Sequence, residues 1–139
     1  MSDAAAWVQA RLILVEVEDG AYSGPFSVVV RNHSDHPILD VTLTSATYQT
    51  SPNATLECDD RTVSIVKSDE SHEFPIDFKN DRGESIFPFS TDLGPVAVIR
   101  YEGADRAAVS AFVEWSDVEG LRWKRAVTGD PQRADALGG

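Results

Sequence analysis

Hydrophobic and polar residues alternate with a period of two along much of the chain, most cleanly between Ala107 and Ala126. There Val109, Ala111, Val113 and Trp115 interleave with Ala108, Ser110, Phe112 and Glu114, the pattern of a strand with one buried face. Val118, Glu119 and Gly120 form a hairpin loop with glycine where a positive φ is needed. Closing the hairpin there sets Asp117 opposite Leu121, Trp115 opposite Trp123 and Glu114 opposite Lys124. A one-residue slip would oppose Glu114 to Trp123 and Trp115 to Arg122. The register that pairs indole with indole and acid with base is therefore preferred. Trp115 and Trp123 become the expected core anchors, and the hairpin the expected centre of the fold.

Upstream, Trp7 to Val17 is apolar at its centre, and Val8, Ile13, Val15 and Val17 favour a strand over Val8 to Glu18, after a helical turn at Ala4 to Ala6. Asp19 to Pro25 holds two glycines and a proline and reads as a loop. Phe26 to Asn32 is a second strand; Phe26, Val28 and Val30 share one face, and Val29 implies burial on the other as well. Asn32 to Pro37 is a turn whose side chains bond their own backbone. Leu39 to Tyr48 is a third strand, Gln49 to Asp60 is irregular, and Arg61 to Lys67 is a short strand. Phe74, Ile76 and Phe78 alternate with Pro75, Asp77 and Lys79; Pro75 has no amide hydrogen and marks an edge or outward position. Asn80 to Gly83 is a turn, and Pro95 to Tyr101 is a further strand. Seven or eight short strands without a long helix predict one antiparallel β-sandwich over residues 1–128, with residues 129–139 as a flexible tail.

Two segments carry a resemblance. Val28 to Thr44, VVVRNHSDHPILDVTLT, is a strand–turn–strand with Asn-x-Ser-x-x-Pro and Asp-Val; Val113 to Arg125, VEWSDVEGLRWKR, closes with Asp-x-x-Gly-x-x-Trp-x-Arg. In this order they resemble the immunoglobulin-like β-sandwich domains of many uncharacterised actinobacterial proteins. That resemblance implies an immunoglobulin-like fold of seven to eight strands and no catalytic residue. The matching residues are structural ones: a turn, a corner and a core tryptophan.

Charge narrows the partners. The chain of 139 residues carries 23 acidic and 12 basic side chains, a net charge of −11, which argues against a nucleic-acid or anionic-membrane surface. No apolar run approaches the roughly 18 residues of a membrane span. Met1 to Ala6 lacks the basic start of a secretory leader, and the single cysteine, Cys58, excludes an internal disulfide. A reduced, cytoplasmic location is the resulting expectation.

Candidate chemistry is sparse. His33, Asp35, His36 and Asp40 offer imidazole and carboxylate to a divalent metal. They match no standard zinc spacing and read rather as a polar turn. Glu57, Asp59, Asp60 and Asp69, Glu70, Glu73 could offer oxygens to calcium, without the spacing or turn glycine of an EF-hand. Cys58 has His72 as the nearest base in sequence, at no recognised spacing, and reads as a small hydrophobe. Asn32-His33-Ser34 and Asn53-Ala54-Thr55 match the glycosylation pattern but read as turns. Leu137-Gly138-Gly139 superficially resembles the end of ubiquitin-like proteins, whose central helix is lacking here. Trp7 is the tryptophan left over from the hairpin pair, a lead for an exposed binding ring. The expectation is a non-enzymatic protein-interaction or structural module without a cofactor, able to self-pair through an edge strand, the first strand being the candidate. A metal-ion- or carbohydrate-binding domain is the alternative.

Overall fold

A computed structural model describes residues 3–20, 24–93 and 97–134. The chain begins with helix α1 (Asp3–Arg11) and continues through β1 (Ile13–Asp19), β2 (Phe26–Asn32), β3 (Ile38–Tyr48), β4 (Thr55–Glu57), β5 (Thr62–Val66) and β6 (Ser71–Lys79). There follow β7 (Phe89–Leu93), β8 (Ala97–Tyr101), a 3-10 turn at Arg106–Ala108, β9 (Val109–Ser116), β10 (Arg122–Ala126) and β11 (Gln132–Arg133). The fold is all-β and every strand pairing is antiparallel.

The described residues form eleven strands in three sheets, more than the seven or eight expected. One sheet has the order β1-β2-β6-β4, a second β11-β10-β9-β3-β5, and β7 and β8 make a ribbon that joins neither. The surplus comes from pieces too short or too polar to show a period: β4 inside the segment read as irregular, β7 directly after Pro88, and β11 inside the segment read as a tail. Pro95, Val96 and the Leu137-Gly138-Gly139 terminus lie outside the described residues.

The chain start needs correcting. Residues Asp3–Arg11 are helical, and the strand begins only at Ile13 rather than at Val8. Ala6 and Ala10, four residues apart, are buried in the common core, and small side chains on one face let a helix lie close against the sheets. The Arg125 guanidinium donates from Nη1 to the carbonyls of Arg11 (3.1 Å) and Ile13 (2.9 Å), bonding the helix end and the strand start to the second sheet.

The two larger sheets pack face to face around a single apolar cluster. Phe26, Tyr48, Phe78 and Phe87 meet there with ring centroids 4.9–6.3 Å apart. Val29 is buried, as expected, although it lies opposite to this cluster's face of β2. Pro75 sits where β6 lacks a neighbour on one flank, because β4 covers only Asp77 to Lys79.

The β9–β10 hairpin has the expected register, with Trp115 opposite Trp123 and Glu114 opposite Lys124. The ion pair, however, runs diagonally from Arg122 to Glu114 at 3.9 Å. Gly120 turns the loop with φ +86°, a conformation that L side chains rarely adopt. Asp117, 2% exposed, accepts from the amides of Glu119 and Leu121 at Oδ1 and from Trp123 Nε1 at Oδ2 (3.1 Å). One carboxylate thus fixes both the loop and the rotamer of the core indole.

Asp117→Asn puts an NH2 group where an acceptor is needed, either against Trp123 Nε1–H or against the loop amides. Urea unfolding is expected to show a loss of about 2 kcal/mol. Combined with Trp123→Phe, the losses should be less than additive, because both changes break the same bond.

Candidate functional site

The histidine turn is a structural corner. Asn32 is buried; its Nδ2 donates to the carbonyls of His36 (2.9 Å) and Val66 (3.0 Å), and its Oδ1 accepts from Ser34 N and Oγ. Those bonds tie the β2–β3 connection to the end of β5. His33, Asp35, His36 and Asp40 all project outward from it and are exposed. Among the described residues no three His, Cys, Asp or Glu side chains converge as a metal site would require.

The acidic segments do meet, on the flank of β6 that β4 leaves open. Glu57, Asp59 and Asp60 line a notch of about 340 Å³ with His72, Glu73 and Asp77, whereas Asp69 and Glu70 lie outside it. Cys58 and His72 share this notch. The thiol is directed at the Asp60 carbonyl (3.4 Å) and the imidazole packs edge-on to Phe74 at 4.7 Å. Burial pushes the Cys58 thiol above its ordinary pKa, more than the Asp60 carbonyl and Arg61 lower it. A nucleophilic cysteine needs the opposite shift.

Glu57 and Asp77 also line a larger cleft of about 730 Å³ between the end of β6 and the base of the ribbon. Lys79 Nζ lies 3.4 Å from Asp77 and 3.5 Å from Glu57, and Ser85 Oγ donates to Asp77 (3.0 Å). Burial pulls the Lys79 pKa down, and the two carboxylates raise it by more, so this ammonium is held charged. The facing wall is aromatic: Phe89 and Tyr101 are cross-strand partners with ring centroids 6.0 Å apart, and Phe89 is 65% exposed. The cleft thus sets an exposed ring above a charged floor of Glu57, Asp77 and Lys79.

Sequence reasoning missed this cleft. Its floor was visible only as the outward half of the Phe74–Phe78 alternation, and Phe89 stands in a polar stretch after Pro88 with no period to mark it. The tryptophans divide as anticipated: Trp115 and Trp123 are buried, while Trp7 is partly exposed and meets Trp123 edge-on at 4.8 Å. Trp7 therefore braces α1 against the core instead of presenting a free ring.

Two measurements follow. Asn32→Ala should cost about 2 kcal/mol in urea unfolding, because it orphans buried polar groups, while His33→Ala and His36→Ala should stay within about 0.5 kcal/mol. Alkylation of Cys58 should reach half its limiting rate at a higher pH than a free cysteine peptide, since burial disfavours the thiolate.

No family model matches the chain, and neither a curated protein nor a solved structure does.

Proposed function

We propose that this chain is a non-enzymatic immunoglobulin-like module that binds a protein partner in the cleft beneath the β7–β8 ribbon. Strand order supports the fold assignment. The order β1-β2-β6-β4 corresponds to A-B-E-D of a constant-type immunoglobulin domain, and β10-β9-β3 corresponds to G-F-C. On that reading β5 and β11 are additions to the second sheet, and the ribbon is an insertion between E and F. The corner at Asn32 and the Asp117 hairpin are the two segments in which the chain resembles actinobacterial domains of this kind.

The observation that carries the binding reading is Phe89, a large ring left exposed on a ribbon outside both main sheets. An isolated two-stranded ribbon is marginal in water, and a partner strand or side chain against it would stabilise it. Charge selects the partner. The cleft and the adjoining notch carry Glu57, Asp59, Asp60, Glu73, Asp77 and Glu84 against Lys79, which suits an extended segment bearing lysine or arginine. The ring wall above hydrogen-bonding groups also favours a second reading, an oligosaccharide stacked on Phe89.

The test is a titration of the protein with immobilised peptides of matched length, basic or acidic and otherwise alike, beside neutral oligosaccharides. Selective binding of basic peptides, weakened by about 1–3 kcal/mol in Phe89→Ser with little change in melting temperature, is the expected result. Binding of oligosaccharides alone would select the second reading, and binding of neither would sink both.

A further inference from the structure

Strand β10 ends before its neighbour does. Its last residue, Ala126, stands opposite Phe112, whereas β9 runs back to Val109. Val109 to Ala111 therefore have β3 on one flank and, among the described residues, no strand on the other. Past β10 the Val127 amide still reaches across and donates to the Ala111 carbonyl (3.2 Å). The chain then turns off toward β11: Gly129 has φ +99°, and Arg125 Nε donates to its carbonyl (3.2 Å). A strand residue points its N–H and C=O the same way, so the Ala111 N–H and the Val109 C=O face the flank left open.

Two hollows of about 430 and 320 Å³ follow this flank and share Phe112, Ala126 and Thr128. Phe112 lies on the outer face of β9, 41% exposed, with Lys124 Nζ 6.0 Å from its ring centroid. Arg106 lines the first hollow and Lys124 the second, and among the described residues neither is ion-paired. Glu114, opposite Lys124, is taken by Arg122 at 3.9 Å, and Asp130 is the one acid lining either hollow. In a chain of net charge −11, this surface is locally basic.

We propose that the open flank of β9 takes an extended acidic segment of a partner protein. The segment adds to β9 beyond the end of β10, lays an apolar side chain on Phe112, and sets carboxylates toward Lys124 and Arg106. Each part of the site selects one part of that occupant. The unpaired backbone of β9 supplies main-chain hydrogen bonds, the ring supplies an apolar contact, and the two free cations fix the sign of the flanking charges. A nucleic-acid phosphate is disfavoured, because the rest of the surface is acidic. The partner charge is opposite to that selected by the ribbon cleft, and the proposal stands independently of it.

The test is fluorescence anisotropy of short labelled peptides of one length, each with a leucine flanked by glutamates, by lysines or by serines. The glutamate peptide is expected to bind at least about tenfold more tightly than the other two, and to lose about tenfold in Arg106→Glu and in Phe112→Ser. Both substitutions are at exposed positions, so the circular dichroism spectrum should be retained. Exposed ion pairs alone hold little, so replacing the leucine by serine should abolish binding. Acidic peptides without a large apolar residue thus remain inert controls for the ribbon cleft. Were a variant to unfold, the unchanged protein supplies the answer. N-methylation of the leucine amide and its two neighbours removes strand hydrogen bonds while keeping charge and side chain, and should weaken binding at least about tenfold. Equal binding of the three peptides, binding of none, full affinity in both variants, or full affinity of the methylated peptide would each overturn the proposal.

Discussion

A carboxylate inside a protein is tolerated only when its charge is fully hydrogen-bonded, and Asp117 meets that condition with three N–H donors. Two of them are loop amides that would otherwise be orphaned at the end of a hairpin; the third belongs to Trp123, buried on β10 of the second sheet. The turn and the core therefore determine each other. If the loop took another path, the acid would lose its donors and the indole its orientation. With the loop fixed, Trp123 stands opposite Trp115, and β9 is placed to pair with β3 across its length. The wall against which the first sheet packs follows from that pairing.

The same logic holds at the other joints. Where the chain leaves the first sheet for the second, Asn32 satisfies the carbonyl of His36 in its own turn and that of Val66 at the end of β5. Where α1 meets β1, the carbonyls of Arg11 and Ile13 are taken up by Arg125 from the opposite sheet. These three polar groups sit at changes of direction, where regular pairing stops and backbone groups need other partners. They lie within the two segments Val28 to Thr44 and Val113 to Arg125. What those segments record is a solution to a hydrogen-bonding problem, and it carries no information about a ligand.

That explains what could be read from the sequence. The hairpin register was legible because a one-residue slip puts every side chain on the wrong face, and residues such as Trp115, Trp123, Glu114 and Lys124 leave little ambiguity. The burial of Val29 and the outward place of Pro75 were legible for similar reasons. The helix was not. In WVQARLILVEV, β-branched residues on both sides of Leu12 merge into one apolar run, and the helical half buries only Ala6, Gln9 and Ala10, so no amphipathic period betrays it. The ribbon cleft was equally hidden. Glu57, Asp77, Lys79 and Phe89 converge from three elements, and β4 and β7 have too little pattern for their pairing to be foreseen.

Most edges of the two larger sheets are blunted. In β5 the amide of Thr62 is capped by Asp60 and the carbonyl of Val66 by Asn32, leaving only the middle of a five-residue edge open. Along β1, Arg31 holds Glu16 and Glu18 beside the edge, and Arg125 occupies the first carbonyl. β4 and β11 are three and two residues long, and the flank of β6 that β4 leaves uncovered contains Pro75, which has no amide hydrogen. Charge, caps and short length are general defences against strand addition. Among the described residues the large exposed apolar side chains are scattered: Trp7 and Val8 on α1, Leu12 just after it, Phe89 on the ribbon, and Ile65, Phe112 and Val118 on β5, β9 and the hairpin loop. Edges that are capped, charged or short give strand addition few places to start, and each of these properties follows from how the chain terminates the strand concerned.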